Sequence, residues 1–365
     1  MILRFKELIK LDWGLIIVVL LLVLVGLLSI YGTQQEGGAK VFEKQLIYVI
    51  LGFIFMFSIA LIDYRIFRDS SFILVGLYVL GLVLLVGVLL VGKEIRGVSS
   101  WFRIGNLGFE PIEFMKLIIV LILAKYFSLR HVEISRLQNL IISGLYVFFP
   151  ALLLLLQPEL GYVLIISLIW LAIVIVAGIK LRYILFLVII GIIIGSVGWF
   201  SVLHTYQKER VLSFFSPESD PLGRGYHIIQ SVIAIGSGKF FGRGLGQGTQ
   251  SQLNFLPEQH TDFIFATIAE EWGFVGVAAI LILFWLLFYK LIKISISSTN
   301  NFARLASLGI ALMLILETII NIGMTMGLLP IIGIPLPFIS YGGSAMVMNF
   351  IALGIVQSIA ARNKL

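Results

Sequence analysis

The chain predicts an all-α polytopic membrane protein with ten transmembrane helices, and three observations carry that prediction. Of its 365 residues 60% are hydrophobic and 12% charged, with a mean hydropathy of +1.09; a soluble domain carries about twice that charge fraction. Apolar runs long enough to cross a bilayer recur along the whole length. Lys and Arg are unevenly shared between alternate connections, as expected when one side of a membrane is cytoplasmic.

The elements follow in order. Residues 1–12 mix apolar side chains with Arg4, Lys6, Glu7 and Lys10 and read as a short interfacial helix. The apolar run after them is long and has no small-residue cleavage site, so a cleaved signal is not expected. Spans are expected at 13–31, 46–62, 72–91, 112–127, 140–156, 162–179, 183–202, 263–289, 305–326 and 338–360. Gln157-Pro-Glu-Leu-Gly161 separates the fifth from the sixth, because Pro and Gly break helices and a buried charge there is costly.

Ten spans put both termini on one side. That side holds Arg4, Lys6, Lys10, Arg65, Arg68, Lys125, Arg130, Arg136, Lys180, Arg182, Lys290, Lys293, Arg304, Arg362 and Lys364. The short segments opposite hold Lys40, Lys44, Lys93, Arg96, Arg103 and Lys116. Both termini are therefore expected in the cytoplasm, with the long 203–261 loop between the seventh and eighth helices outside. One membrane domain, 1–365, accounts for the chain. The net charge of +7 speaks to topology and anionic lipid rather than to nucleic acid. Without cysteine there is no disulfide or thiolate metal site, and the four histidines form no HxxxH or HExxH pair.

The 203–261 loop is too long for a plain connector. Residues 227–235 have helical length and an apolar face, as for a short surface or re-entrant helix. A glycine-rich run, 236–248, follows with Lys239 and Arg243. Its backbone N–H groups suit either a phosphate or simple turns; it is not a Walker loop. The loop ends at Glu258, His260 and Asp262, just before an apolar helix. Asp262 reads either as the N-cap of that helix or as a carboxylate placed for chemistry at the membrane surface.

Glu113 and Lys116 share a face near the outer end of the fourth span. They read as a structural ion pair or as the lining of a polar cavity. Glu317 and Asn321 are a second polar pair, in the ninth span. Ser340-Tyr-Gly-Gly-Ser344 opens the tenth, where free N–H groups suit an anionic ligand and small residues suit tight packing. Trp101 reads as an interfacial anchor. Together, a carboxylate and the cations Lys116, Arg210, Lys239 and Arg243 fit an anionic lipid. If that lipid carries a sugar on a pyrophosphate, the carboxylate is a general base, and the cations or a divalent metal (Mg or Mn) stabilise the leaving group. A carrier would use the same cations without the base, and the residues alone leave enzyme or carrier open.

The motifs resemble the SEDS family (shape, elongation, division and sporulation) over nearly the whole chain. They are Leu11-Asp-Trp13, Ile62-Asp-Tyr-Arg65, Gln157-Pro-Glu-Leu-Gly161, the Arg210 segment, Gly225-Tyr-His-Ile-Ile-Gln-Ser231, Ala234-Ile-Gly-Ser-Gly238, Leu256-Pro-Glu-Gln-His-Thr-Asp-Phe-Ile-Phe265 and Pro335-Leu-Pro-Phe-Ile-Ser-Tyr-Gly-Gly343. Gly248-Thr-Gln-Ser-Gln252 and Gly333-Ile-Pro-Leu-Pro337 resemble the RodA branch more than the FtsW branch. The resemblance implies a peptidoglycan glycosyltransferase of the bacterial cytoplasmic membrane that polymerises lipid II with inversion and release of undecaprenyl pyrophosphate. A lipid II flippase is the alternative. The resemblance places the essential aspartate on Asp262, and substrate contacts on Glu113, Lys116, Arg210, Gln230, Lys239, Ser340, Gly342 and Gly343. It also implies a class B penicillin-binding protein against the eighth and ninth helices, where Gly276 and Gly309 would allow close approach, within the elongation machinery. The family often has Gln where Glu110 precedes Pro111, and Arg where Ser100 precedes Trp101. The extra acid at Glu110 would favour a divalent cation.

Overall fold

The computed structural model describes residues 10–33, 39–92, 101–104, 107–129, 137–201, 208, 212, 214–219, 225–253, 255–256 and 258–363. Ten long helices lie where the apolar runs are: α1 Trp13–Gly32, α2 Ala39–Leu61, α3 Ser71–Val91, α4 Pro111–Ser128, α5 Leu137–Leu156, α6 Leu160–Ala177, α7 Leu181–Ser201, α8 Ile264–Ile296, α9 Asn301–Thr325 and α10 Gly343–Asn363. Among the described residues, eight of these helices are long and apolar enough to cross a membrane. The chain is a multi-pass membrane protein. α4 falls outside the eight because it carries Glu113, Lys116 and Lys125. The expected interfacial helix at 1–12 lies outside the described residues over 1–9, as do Arg210 and the Arg103 side chain.

α4 and α9 form the centre. Every residue of α4 from Met115 to Lys125 is buried, enclosed by α3, α6, α9 and α10. A helix can therefore carry charge at membrane depth when protein rather than lipid surrounds it. α10 lies along α2, and α8 packs on α1 and α9.

Two features depart from the expected helices. A small antiparallel hairpin, β1 Phe102–Ile104 with β2 Leu107–Phe109, precedes α4 and pairs Phe102 with Phe109. Its signal was present as a Gly105-Asn106 turn dipeptide between short apolar-rich segments. The second departure is in α8, which is not continuous: Gly273 breaks it with φ 64° and ψ −160°. A Cβ at Gly273 would collide with the backbone of Gly238 and Gly242, so only glycine fits.

The glycine-rich run fills that break. Arg243 N–H and Gly244 N–H donate to the carbonyls of Glu270 and Glu271, both at 3.0 Å, which end the first half of α8. Phe274 N–H and Val275 N–H, which start the second half, donate to the carbonyls of Lys239 and Phe240 at 2.9 and 3.2 Å. Both broken ends are thus capped by one loop, and the backbone polarity is satisfied inside the fold. The Glu270 carboxylate accepts from Gln250 N–H at 2.8 Å and Ser251 N–H at 3.1 Å, and Glu271 accepts from Gly246 N–H at 3.0 Å. These amides hold α8 rather than a phosphate.

The end holding both described termini is tied by side chains from several motifs. Asp12 caps α1 by accepting from Leu15 N–H at 2.9 Å and pairs with Lys290 at 3.0 Å. Gln357 bonds both the N–H and the carbonyl of Asp12. Ser358 donates to the Ile62 carbonyl and accepts from Tyr64 N–H, and Arg362 donates to the carbonyls of Ala60 and Leu61.

Candidate functional site

The starts of α4, α6, α8 and α10 and the end of α9 meet at the opposite end of the bundle. Where the sequence suggests a short helix at 227–235, the structure has one at Tyr226–Ser237. It packs on the first half of α8 and on α9, with Ser231 Oγ donating to the Thr325 carbonyl at 2.6 Å.

Asp262 lies here, half-buried. It is not the N-cap of α8: Phe263 takes that position, with no side-chain cap hydrogen bond. The segment around Asp262 is instead held from the side. The His260 carbonyl accepts from Tyr341 N–H at 2.8 Å, the Thr261 carbonyl from Ser340 Oγ at 2.6 Å, and the Asp262 carbonyl from Asn321 Nδ2 at 3.1 Å. His260 Nδ1 faces Thr33 Oγ1 at 3.1 Å. Thr33 Oγ1 lies within donating distance of the Ser29 and Ile30 carbonyls, which leaves its oxygen able to accept from an Nδ1–H. Burial pushes the His260 imidazole below its ordinary value of 6.5, with Glu258 opposing.

Glu113 and Lys116 are brought together, and Glu317 joins them. Lys116 Nζ lies 2.8 Å from Glu113 Oε1 and 2.5 Å from Glu317 Oε1, with the three side chains 1–3% exposed. Tyr162 Oη donates to Glu113 Oε1 at 3.2 Å, and its ring lies 5.5 Å from Nζ. This closed triad joins α4 to α9, with Tyr162 of α6 packed against it. It corrects the reading of Lys116 as a phosphate contact, because its ammonium is already held by two carboxylates. Asn321, one turn after Glu317, links the same helix to Asp262.

The other expected contacts divide. The Ser340 hydroxyl is 3% exposed and committed, accepting from Leu336 N–H at 2.8 Å as well as donating to Thr261. It therefore does not face a ligand. Gly343 is packed against the Tyr48 ring. Gly342 N–H approaches Gln45 Oε1 at 3.4 Å. Gln230 is half-buried on the 226–237 helix. Lys239 is exposed, and with Arg243, Ser237 and Gln247 it lines an open cavity of about 380 Å³. Glu110, just before α4, is buried, and its N–H donates to Ser344 Oγ at 2.9 Å. Among the described residues no three His, Asp or Glu side chains converge to hold a metal ion. Sequence reasoning missed Tyr162, Gln45, Thr33, Glu270 and Glu271. Buried polar side chains were the only signal, and their partners lie far away in the chain.

The family model for FtsW/RodA/SpoVE cell cycle proteins matches residues 7–365. The chain belongs to this family. Peptidoglycan glycosyltransferase MrdB of Escherichia coli is 37% identical over 99% of this chain and 96% of its own length. Stage V sporulation protein E of Bacillus subtilis is 36% identical, over 96% of each. RodA of Treponema pallidum is 32% identical over 96% of this chain and 98% of its own. Among solved structures, a chain from a peptidoglycan synthase complex that coordinates polymerization and crosslinking superposes with a TM-score of 0.83 at 32% identity, covering 97% of this chain and 98% of its own. RodA of Thermus thermophilus superposes at 0.70, with 28% identity and coverage of 97% and 98%. In this FtsW/RodA/SpoVE protein, Asp262 is a half-buried acidic group at the end where five long helices converge.

Proposed function

We propose that this chain is a peptidoglycan glycosyltransferase that polymerises lipid II on the outer face of the bacterial cytoplasmic membrane during elongation. The relatives named above support the activity. The observation that carries it here is Asp262, half-buried on a segment whose carbonyls at 260, 261 and 262 are each held by a neighbouring element. A general base needs that combination of access and fixed aim.

In this reading all ten long helices span, with both termini cytoplasmic and the Asp262 end outside. Asp262 takes the proton from the acceptor sugar's 4-hydroxyl. The oxygen attacks the anomeric carbon from the face opposite the leaving group, and the bond to undecaprenyl pyrophosphate breaks with inversion. The exposed cations Lys239 and Arg243, on the loop that fills the α8 break, balance the departing negative charge. A divalent cation would come bound to that pyrophosphate rather than held by a metal centre of the chain, and no step is assigned to it.

The class B penicillin-binding partner would lie along α8. Its lipid-facing side exposes Phe274, Ile282, Trp285 and Tyr289. α9 offers little, since Arg304 and Ile319 are its exposed residues among those described. Gly309 packs inward against Val120 and Ile173, and Gly276 lies under Trp272, so neither provides the expected approach for a partner helix.

The broken α8 would suit a carrier, but its break is filled by backbone that hydrogen-bonds both broken ends. Purified protein incubated with lipid II decides between the readings. Glycan polymer is expected; lipid II crossing a liposome membrane with no polymer formed would establish the carrier instead.

A further inference from the structure

Two peptide planes flank the Asp262 α-carbon, and each is held by one buried side chain. The plane before it carries the Thr261 carbonyl, which accepts from Ser340 Oγ at 2.6 Å. The plane after it carries the Asp262 carbonyl, which accepts from Asn321 Nδ2 at 3.1 Å. Because peptide groups are planar, fixing both planes fixes φ and ψ at Asp262 and therefore the direction of its Cα–Cβ bond. Only the side-chain torsions remain, and a methyl placed on Gly333 would stand 3.5 Å from Asp262 Oδ2, so that wall is close as well.

The chemistry of the two holders is specific. Asn321 Nδ2 also donates to the Ile334 carbonyl at 2.8 Å. Both partners are acceptors, so the amide orientation is determined: the NH₂ group must face them. A primary amide supplies two hydrogens from one atom; Asp would present only acceptors, and Leu none. Ser340 Oγ accepts from Leu336 N–H at 2.8 Å while donating to Thr261, a pairing that a hydroxyl alone completes in so small a volume. Both side chains are shut from solvent, at 0% and 3% exposure. Both tie the Asp262 segment to the 334–341 stretch.

We propose that Asn321 and Ser340 are positioning residues that set the aim of the Asp262 carboxylate. This rests on the reading of Asp262 as the general base. Misplacing such a group by an ångström costs on the order of a hundredfold. Per folded molecule, Ser340→Ala is expected to lower kcat on lipid II by about ten- to a hundredfold, with KM changed by less than about twofold.

The test is a double-mutant cycle with Asp262→Asn, with polymer scored over long incubation. Groups that act only through one another lose their effect once that one is gone. In the Asp262→Asn background, Ser340→Ala should change the residual rate by less than about twofold. An equal loss in both backgrounds would overturn the proposal, since a merely structural hydroxyl acts regardless of residue 262. A wild-type rate in Ser340→Ala beside an impaired Asp262→Asn would also overturn it, while leaving the general base in place. A wild-type rate in Asp262→Asn would instead remove the functional reading beneath it. Asn321→Leu repeats the cycle from the other plane, and if it fails to fold, the Ser340 measurements decide alone.

Discussion

The two ends of the bundle use charge in opposite ways. At the end holding both described termini, ion pairs reach solvent through at least one member: Asp12 with Lys290, both part-exposed, and the exposed side chain of Asp63 with the buried side chain of Arg362. Each also caps or ties backbone, so the charge itself is secondary. At the other end, Glu113, Lys116 and Glu317 are closed away together, next to the half-buried Asp262. The difference shows where a charge is replaceable. Water can substitute for a partner at the first end; at the second, removing one member alone leaves buried charge uncompensated.

Lys116→Met should break this comparison most strongly. It leaves two carboxylates buried side by side, and removing one partner of a buried pair costs about 3 to 5 kcal/mol. The expected result is a large fall in thermal stability, substantially recovered when Glu113→Gln and Glu317→Gln are added. No recovery would show that the triad does more than balance charge. Exchanging Glu113 and Lys116 would not restore stability, because the carboxylate introduced at position 116 would face Glu317. Lys290→Ala sharpens the contrast from the other end, since a part-exposed pair contributes about 1 kcal/mol or less. A small shift in melting temperature is expected; a loss matching that of Lys116→Met would erase the distinction between the ends.

The smallest effect concerns His260. Burial lowers its native pKa below the ordinary 6.5. Above 6.5 both native and unfolded rings are neutral. As pH falls below 6.5 the unfolded ring binds a proton first, so stability declines toward the depressed native value. His260→Gln should flatten this decline in melting temperature measured above and well below 6.5. An identical slope in the variant would place the acid sensitivity elsewhere.

Much of this was legible in the sequence. The ten apolar runs fall on ten helices because length and hydropathy are local properties. Glu113 and Lys116 stood out because charge at membrane depth is costly. Glu317 stood out too, but that it meets Lys116 across 201 positions is a fact of packing no spacing reveals. The α8 break was illegible for the same reason: Gly273 looks like a tolerated glycine until the 238–246 backbone is seen against it. At Ser340 and Gly343 the sequence leaves a ligand cradle and close packing equally open, because small residues at a helix start suit both, and the contacts both residues make are packing ones.

In the proposed function Asp262 performs the chemistry while its surroundings supply the frame. The measurement that tests it most directly is glycan polymerisation by Asp262→Asn at matched stability. Asparagine keeps the size and removes the basic carboxylate, so the melting temperature should move by less than about 1 kcal/mol in equivalent stability. Polymer formation from lipid II should fall by about a hundredfold to ten-thousandfold. A folded Asp262→Asn protein that makes polymer at the wild-type rate would contradict the account.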